Sequence, residues 1–367
     1  MTDGAVRVAL VGLGWAGRSI WLPRLRAHPG FTVAVAVDPD PRARQALPPE
    51  ASIAAVSGVE ELDPAAVDLA VVAVPNHLHA PTALRLLRAG IDTFVEKPVC
   101  LTSQQARELA AAEAAGPAML LAGSAARLRA DVAALGRAAG QLGRVRHVSA
   151  AWIRARGIPG GNGWFTDRRR AGGGALVDLG WHLLDVILPL LGEPEFGQVV
   201  GTASADFMAA GTAAAAWRLD APAPGGDRGG DVEDTAHGFL VTTTGVSVHL
   251  RAAWASHEPY DSTRIRVEGS AGVAELRCTF GFSPNRVGGS ALTVTRQGRT
   301  STQPVPAEPI GAEYHRQLDD IARTRADRTA KGRAAAEAAR AIELIERFYE
   351  SADRWRPAAA PVPVPTG

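Results

Sequence analysis

The sequence has 367 residues, 46% of them hydrophobic and 21% charged, which is enough for about two domains with substantial cores. Its 39 basic and 38 acidic side chains leave a net charge of +1, so no global field draws the chain to nucleic acid or anionic lipid. No apolar run approaches the roughly 18 residues of a membrane span: the nearest, 175–191, is interrupted by Asp178, His182 and Asp185, and the apolar stretch 8–16 lacks the basic cluster that opens a signal peptide.

In chain order, 6–11 reads as a buried strand ending at Gly12, and 15–27 has helical spacing broken by His28-Pro29-Gly30. A second buried strand, 31–37, closes at Asp38-Pro39-Asp40-Pro41. The pattern continues with a strand at 69–74 stopped by Pro75-Asn76, a helix at 81–89 ended by Gly90, and a strand at 93–96. An Ala-rich helix at 104–115 and a strand at 119–122 complete it. Strands alternating with helices imply right-handed βαβ units on a parallel sheet, so 1–123 is expected to be a doubly wound α/β (Rossmann) domain. Beyond Gly123 the pattern changes. Residues 126–139 are helical, 145–153 extended, 157–163 and 172–174 glycine-rich loops, and 175–191 a strong helix ending at Gly192. From 199 to 296 the signals are β: Val246, Val248, Leu250, Ala252 and Trp254 alternate with Ser247, His249 and Arg251. Strands without intervening helices predict a large, mostly antiparallel sheet. A Pro/Gly loop at 221–230 and a closing amphipathic helix at 334–349 follow. An α+β domain for substrate and oligomerisation is therefore expected at 124–352, and a disordered tail at 353–367.

Two cysteines, Cys100 and Cys278, are too few for a disulfide framework or a thiolate zinc site, and the protein is expected to be cytoplasmic. Lysine occurs only at Lys97 and Lys331, so a lysine kept against such an arginine bias is informative, because Lys can exchange its proton and Arg cannot. Gly12-Leu13-Gly14-Trp15-Ala16-Gly17 is G-x-G-x-x-G after a strand and at a helix start, the context in which backbone N–H groups and the helix dipole receive a pyrophosphate. Asp38, at the end of the second strand, suits the hydroxyls of an adenosine ribose and repels a 2′-phosphate, favouring NAD. Arg42 and Arg44 nearby leave NADP open. Lys97 follows a strand of the parallel sheet, where an ammonium can stabilise alkoxide character at a reacting oxygen. Asp178 and His182 are four apart on an apolar helix, with Asp185 three further on, and His is the natural acid or base near neutral pH.

The glycine loop, Pro75-Asn76-His77-Leu78-His79, Glu96-Lys97-Pro98, Asn162-Gly163-Trp164-Phe165, the helix opened by Gly172-Gly173-Gly174 and Val232-Glu233-Asp234-Thr235 together resemble the Gfo/Idh/MocA (glucose–fructose oxidoreductase / inositol dehydrogenase) family, over nearly the whole chain. The resemblance implies a nicotinamide-dependent dehydrogenase or reductase interconverting alcohol and ketone on a sugar, cyclitol or amino sugar. It places Lys97, Asp178 and His182 at catalytic positions. Pro75, Asn76, His79, Glu96 and Lys97 then lie about the cofactor, and Arg156 and Trp164 in the substrate pocket. It further implies a cis Lys97–Pro98 peptide and a homodimer or homotetramer. His182, where some relatives carry Tyr, favours the inositol type. Ala43 stands where many relatives have Arg near the adenine.

The expected roles are His182 exchanging the hydroxyl proton, Lys97 hydrogen-bonding the reacting oxygen, and Asp178 orienting His182 or binding a neighbouring hydroxyl. Competing readings are a hydrolase that oxidises its sugar transiently with bound NAD, aldose or imine chemistry, and a non-catalytic nucleotide-sensing protein. A zinc role for His77 and His79 lacks a carboxylate or thiolate partner. Arg168-Arg169-Arg170 reads as a solvated loop before it reads as a phosphate clamp. No metal, nucleic-acid or membrane partner is expected.

Overall fold

The computed structural model describes residues 4–48, 53–160, 163–192, 194–210, 215 and 230–355. Six strands form the first sheet: β1 (Val6–Val11), β2 (Phe31–Val37), β3 (Ala54–Val56), β4 (Leu69–Val72), β5 (Asp92–Val95) and β6 (Leu120–Ala122). All are parallel, in the order β3-β2-β1-β4-β5-β6. Every residue of β4 and β5 is buried, as a parallel sheet covered on both faces requires. The order reverses between β1 and β4, and that switch opens a crevice at the carboxyl ends of the strands.

The second sheet has eight strands: β7 (Val145–Ile153), β8 (Phe196–Ser204), β9 (Thr235–Thr242), β10 (Ser247–Ala253), β11 (Ser262–Gly269), β12 (Gly272–Cys278), β13 (Ala291–Arg296) and β14 (Arg299–Gln303). Their order is β14-β13-β12-β11-β7-β10-β9-β8, antiparallel except for the β7–β10 pair. The alternation read in the sequence is the pleat of β10, with Val248, Leu250 and Ala252 facing the core. The helices Trp181–Leu190 and Arg333–Arg354 contribute to that core. Phe348 of the latter lies against Gly201 of β8 and Gly238 of β9, where side chains would collide with its ring.

Several expectations change. The predicted helix 126–139 is a 3₁₀ turn, Ala125–Leu128, followed by an α-helix, Ala130–Ala139. The helix expected at 175–191 begins as a wide π-type stretch, Leu176–Gly180, before the α-helix proper. With the short helix ahead of it, the run Arg168–Leu190 reaches 23 residues and is apolar enough by composition to span a bilayer, contrary to the sequence estimate. Yet 83% of its apolar window is buried inside the protein, which makes it a core helix. The closing helix runs to Arg354, into the tail expected to start at 353. Residues 356–367, and 221–229 of the Pro/Gly loop, lie outside the described residues. Among the elements that gave no sequence signal are β3 and the helices Pro41–Gln45 and Ala312–Ala326. The last returns to the first sheet, where Leu318 and Ile321 join Leu10 and Trp21 in one core and Gln317 Oε1 accepts from Ser124 N at 2.8 Å.

The contact at Phe348 is testable. Gly238→Ala should destabilise the protein by about 1–3 kcal/mol through overpacking, and Phe348→Leu in the same chain should recover part of the loss in a denaturant titration.

Candidate active site

The glycine loop leaves β1 in a shape that only its glycines allow. Gly12 has φ +96°, and a Cβ there would sit 2.7 Å from Ala73 O; one at Gly17 would sit 2.0 Å from Gly12 O. At Gly14 a Cβ would meet nothing within 4 Å, so this face of the backbone is open. Asp38 ends β2 beside it: Oδ2 accepts from Leu13 N at 2.8 Å and Oδ1 from Asp40 N at 2.9 Å. Arg44 folds back to donate to the carbonyls of Asp38 (2.6 Å) and Pro39 (3.0 Å), while Arg42 is exposed. Trp15 sets its ring edge against Phe282 at 5.7 Å, and Ala16 opens the helical turn Ala16–Trp21. An open backbone cradle, a helix start and a carboxylate at the next strand end fit a dinucleotide.

Three loops meet further along the crevice. After β4, Pro75 leads into a turn where buried Asn76 donates from Nδ2 to Ala171 O at 2.9 Å, tying the first sheet to the second half of the chain. His79 is 2% exposed, with Nδ1 2.6 Å from Pro98 O and Nε2 2.8 Å from Val74 O. Burial pushes its pKa down to about 4, so the neutral ring donates to one carbonyl at a time. It binds the loops together with both nitrogens facing backbone, whereas the resemblance put it at the cofactor. Glu96 is held by Trp21 Nε1 (2.9 Å to Oε1) and Lys97 N (3.0 Å to Oε2), and burial raises its pKa. The Lys97–Pro98 peptide is cis.

Lys97 Nζ donates to Asp178 Oδ1 at 2.6 Å. Asp178 Oδ2 accepts from Trp254 Nε1 at 2.9 Å and lies 3.9 Å from Arg154 Nη1. Burial alone would raise the Asp178 pKa; the charges of Lys97 and Arg154 and the two hydrogen bonds override it and hold the carboxyl well below the usual carboxylate range. His182 is buried, its ring 5.5 Å from that of Trp152. Burial first, then the charge of Lys97, lower its pKa to about 3, with Asp178 opposing. It is therefore neutral at pH 7, a correction to the expected near-neutral titration. Among the described residues no hydrogen bond joins Asp178 to His182. The carboxylate serves Lys97 and Trp254, not the imidazole it was expected to orient.

Other candidates fall elsewhere. Asp185 turns away to an ion pair with Arg127, which also holds Glu337 at 2.9 Å, so it shares no site with Asp178 and His182. Arg156 is exposed on an isolated bridge to Ala255. Arg154, two residues earlier, occupies the buried place beside Asp178. Trp164 is half-buried against Phe165 (4.7 Å between centroids), which in turn abuts Trp254 at 5.9 Å. Asn162 lies outside the described residues. Arg168 sits over the Tyr349 ring at 4.6 Å, and Arg169 and Arg170 are exposed. Arg154 and Trp254 were missed because each lies one residue past the ends of the paired strands β7 and β10, and Trp254 reads as the last core residue of an alternating strand. Glu233 explains two motifs together. Its carboxylate accepts from Gly174 N (3.1 Å), Leu176 N (2.9 Å) and the Tyr349 hydroxyl (2.8 Å), capping the start of the helix that carries Asp178. Among the described residues no three His, Cys, Asp or Glu side chains gather as a metal site.

A dinucleotide cradle leading to an ammonium and an imidazole defines a nucleotide-dependent oxidoreductase fold. A profile described as "Oxidoreductase family, NAD-binding Rossmann fold" matches residues 6–124, and one for the "GFO/IDH/MocA C-terminal domain" matches 137–275. A "Putative UDP-kanosamine synthase oxidoreductase subunit" of Amycolatopsis mediterranei (strain S699) is 56% identical over 352 residues, 96% of this chain and 97% of that protein. The "D-glucoside 3-dehydrogenase" of Escherichia coli (strain K12) is 31% identical over 202 residues, 53% of this chain and 56% of that one. Among solved structures, levoglucosan dehydrogenase in complex with NADH and levoglucosan superposes with a TM-score of 0.76 at 19% identity, covering 95% of this chain and 98% of that one, and shows the shared fold. The chain belongs to the Gfo/Idh/MocA family: it is an oxidoreductase with an NAD-binding Rossmann domain, and its named relatives include sugar dehydrogenases.

The His182 shift carries a sign. An unfolded His protonates near pH 6.5 and the folded ring near 3, so between these values the unfolded chain binds more protons and stability falls as pH falls. His182→Gln should remove that share, on the order of 3 kcal/mol at pH 4, read as a shallower decline between pH 7 and 4 in denaturation curves.

Proposed function

We propose that this chain is an NAD-dependent dehydrogenase or ketoreductase that interconverts a secondary alcohol and a ketone on a nucleotide-linked hexose. The observation that carries the chemistry is the Lys97–Asp178 pair at 2.6 Å, beside His182 and at the carboxyl end of the strand next to the switch point. The substrate class draws on the 56% identical relative, whose name contains a UDP-linked amino sugar. Asp38 favours NAD over NADP because its carboxylate opposes a 2′-phosphate.

Bound NAD supplies the hydride acceptor or donor; Gly12, Leu13, Gly14, Trp15, Ala16, Gly17 and Asp38 would hold its adenosine and pyrophosphate, and Pro75, Asn76 and Glu96 would border the nicotinamide end. The protein's own groups do the rest. Lys97 donates a hydrogen bond to the reacting oxygen and stabilises negative charge on it. Neutral His182 accepts the hydroxyl proton as the carbon–oxygen bond gains carbonyl character. Asp178 holds the ammonium in place through the 2.6 Å hydrogen bond to its Oδ1. Trp164 would contact the sugar, with Arg156 at the pocket's outer rim. In this reading 1–123 binds nucleotide, 124–352 binds substrate and self-associates as a dimer or tetramer, and the protein works in the cytoplasm.

A screen of UDP-hexoses, free sugars, amino sugars and cyclitols with both cofactors, followed at the reduced-nicotinamide band, tests the proposal. UDP-hexose with NAD should give the highest turnover; a preference for free cyclitols would reject the substrate class. Lys97→Ala should lower kcat by about 10²–10⁴-fold, the range of a lost charge-stabilising donor plus proton control, with NAD affinity changed less than threefold. Unaltered turnover would remove Lys97 from the chemistry.

A further inference from the structure

Asp178 is anchored by a group that neither its own helix nor the parallel sheet provides. Trp254 lies one residue beyond β10, is fully buried, and has its backbone N–H fixed to Asp234 O at 2.8 Å. Its indole Nε1 donates to Asp178 Oδ2 at 2.9 Å, while Arg154 Nη1, at 3.9 Å, is too far for a hydrogen bond to that oxygen. With Oδ2 held, Oδ1 points to Lys97 Nζ. Lys97 also approaches the Asp178 carbonyl at 3.5 Å, so its ammonium depends on this one residue for both acceptors that the described chain gives it. A carboxylate bound on one side only can rotate about its terminal torsion, which is broad and roughly two-fold. The ring of Trp254 also touches Phe165, which packs on Trp164. One side chain thereby links the candidate substrate loop to the partner of the reacting ammonium.

We infer that Trp254 is the positioning residue of the site: its N–H locks the Asp178 carboxylate so that Lys97, not His182, receives the carboxylate's orientation. This rests on the proposed oxidoreductase reading, but its test does not need turnover. The chain has only two lysines, so lysine labelled with ¹⁵N at Nζ gives two ammonium signals, Lys97 and Lys331.

In Trp254→Phe, which keeps an aromatic ring and removes the donor, the Lys97 signal should shift and exchange faster with water, with Lys331 unmoved. The residue β-3-benzothienylalanine at 254, which replaces the N–H by sulfur at nearly constant volume, should give the same result if the phenyl variant folds poorly. With a sugar substrate in hand, Trp254→Phe should lower kcat about 10–100-fold with the KM for NAD within twofold. In an Asp178→Asn background the same change should cost less than threefold, because the two side chains act as a unit. An unchanged Lys97 signal, or full additivity with Asp178→Asn, overturns the inference. A shifted Lys97 signal in a protein that oxidises or reduces no sugar leaves it standing and rejects the functional reading instead.

Discussion

The structure turns on one ion pair that spans its two halves. Lys97 comes from the end of a strand in the parallel sheet and Asp178 from a helix packed on the second sheet, and their side chains are 17% and 12% exposed. Removing one partner of a buried pair costs about 3–5 kcal/mol, because the other charge is left without compensation. The surrounding architecture can be understood as what this pair requires. Glu96 and His79 pin the turn that carries Lys97, Glu233 caps the helix that carries Asp178, and Trp254 fixes the carboxylate itself. Glu96 is satisfied within the first domain and Glu233 within the second, so only the Lys97–Asp178 pair itself needs both sheets to be closed.

A second connection runs along the other wall of the crevice. Trp15 of the glycine loop meets Phe282, Phe282 stacks on Tyr314 at 5.6 Å, Tyr314 meets Trp21 at 5.8 Å, and Trp21 donates to Glu96 next to Lys97. Aromatic pairs of this kind add to the area they bury. The ladder joins the glycine loop mechanically to Glu96, the residue before Lys97, and two of its rings come from the second half of the chain. The glycine loop and the turn that carries Lys97 are therefore parts of one packed unit.

The sequence disclosed what local patterns encode. The six-stranded parallel sheet, apart from β3, followed from apolar runs punctuated by Gly and Pro, and the glycine loop with Asp38 followed from spacing. Lys97 stood out because only two lysines survive among so many arginines. Asp185 misled for the opposite reason: its spacing from Asp178 suited one helix face, but the wide turn before Trp181 and the nearness of Arg127 send it to a separate ion pair. The helix Ala312–Ala326 went unread because few of its side chains are apolar, and its role as a cover for the first sheet depends on residues some 300 positions upstream.

Residue type and spacing by themselves marked the class of fold, the glycine loop with Asp38, and Lys97, Asp178 and His182 as candidates, because each of these is carried by a local pattern in the chain. Tertiary structure alone decided what each group touches. It showed His182 neutral in an apolar, cationic setting, His79 spent on backbone carbonyls, Arg154 rather than Arg156 beside the acid, and Trp254 as its anchor. Hydrogen bonds and burial between residues a hundred apart exist only once two sheets have packed, and no local period in the chain records them.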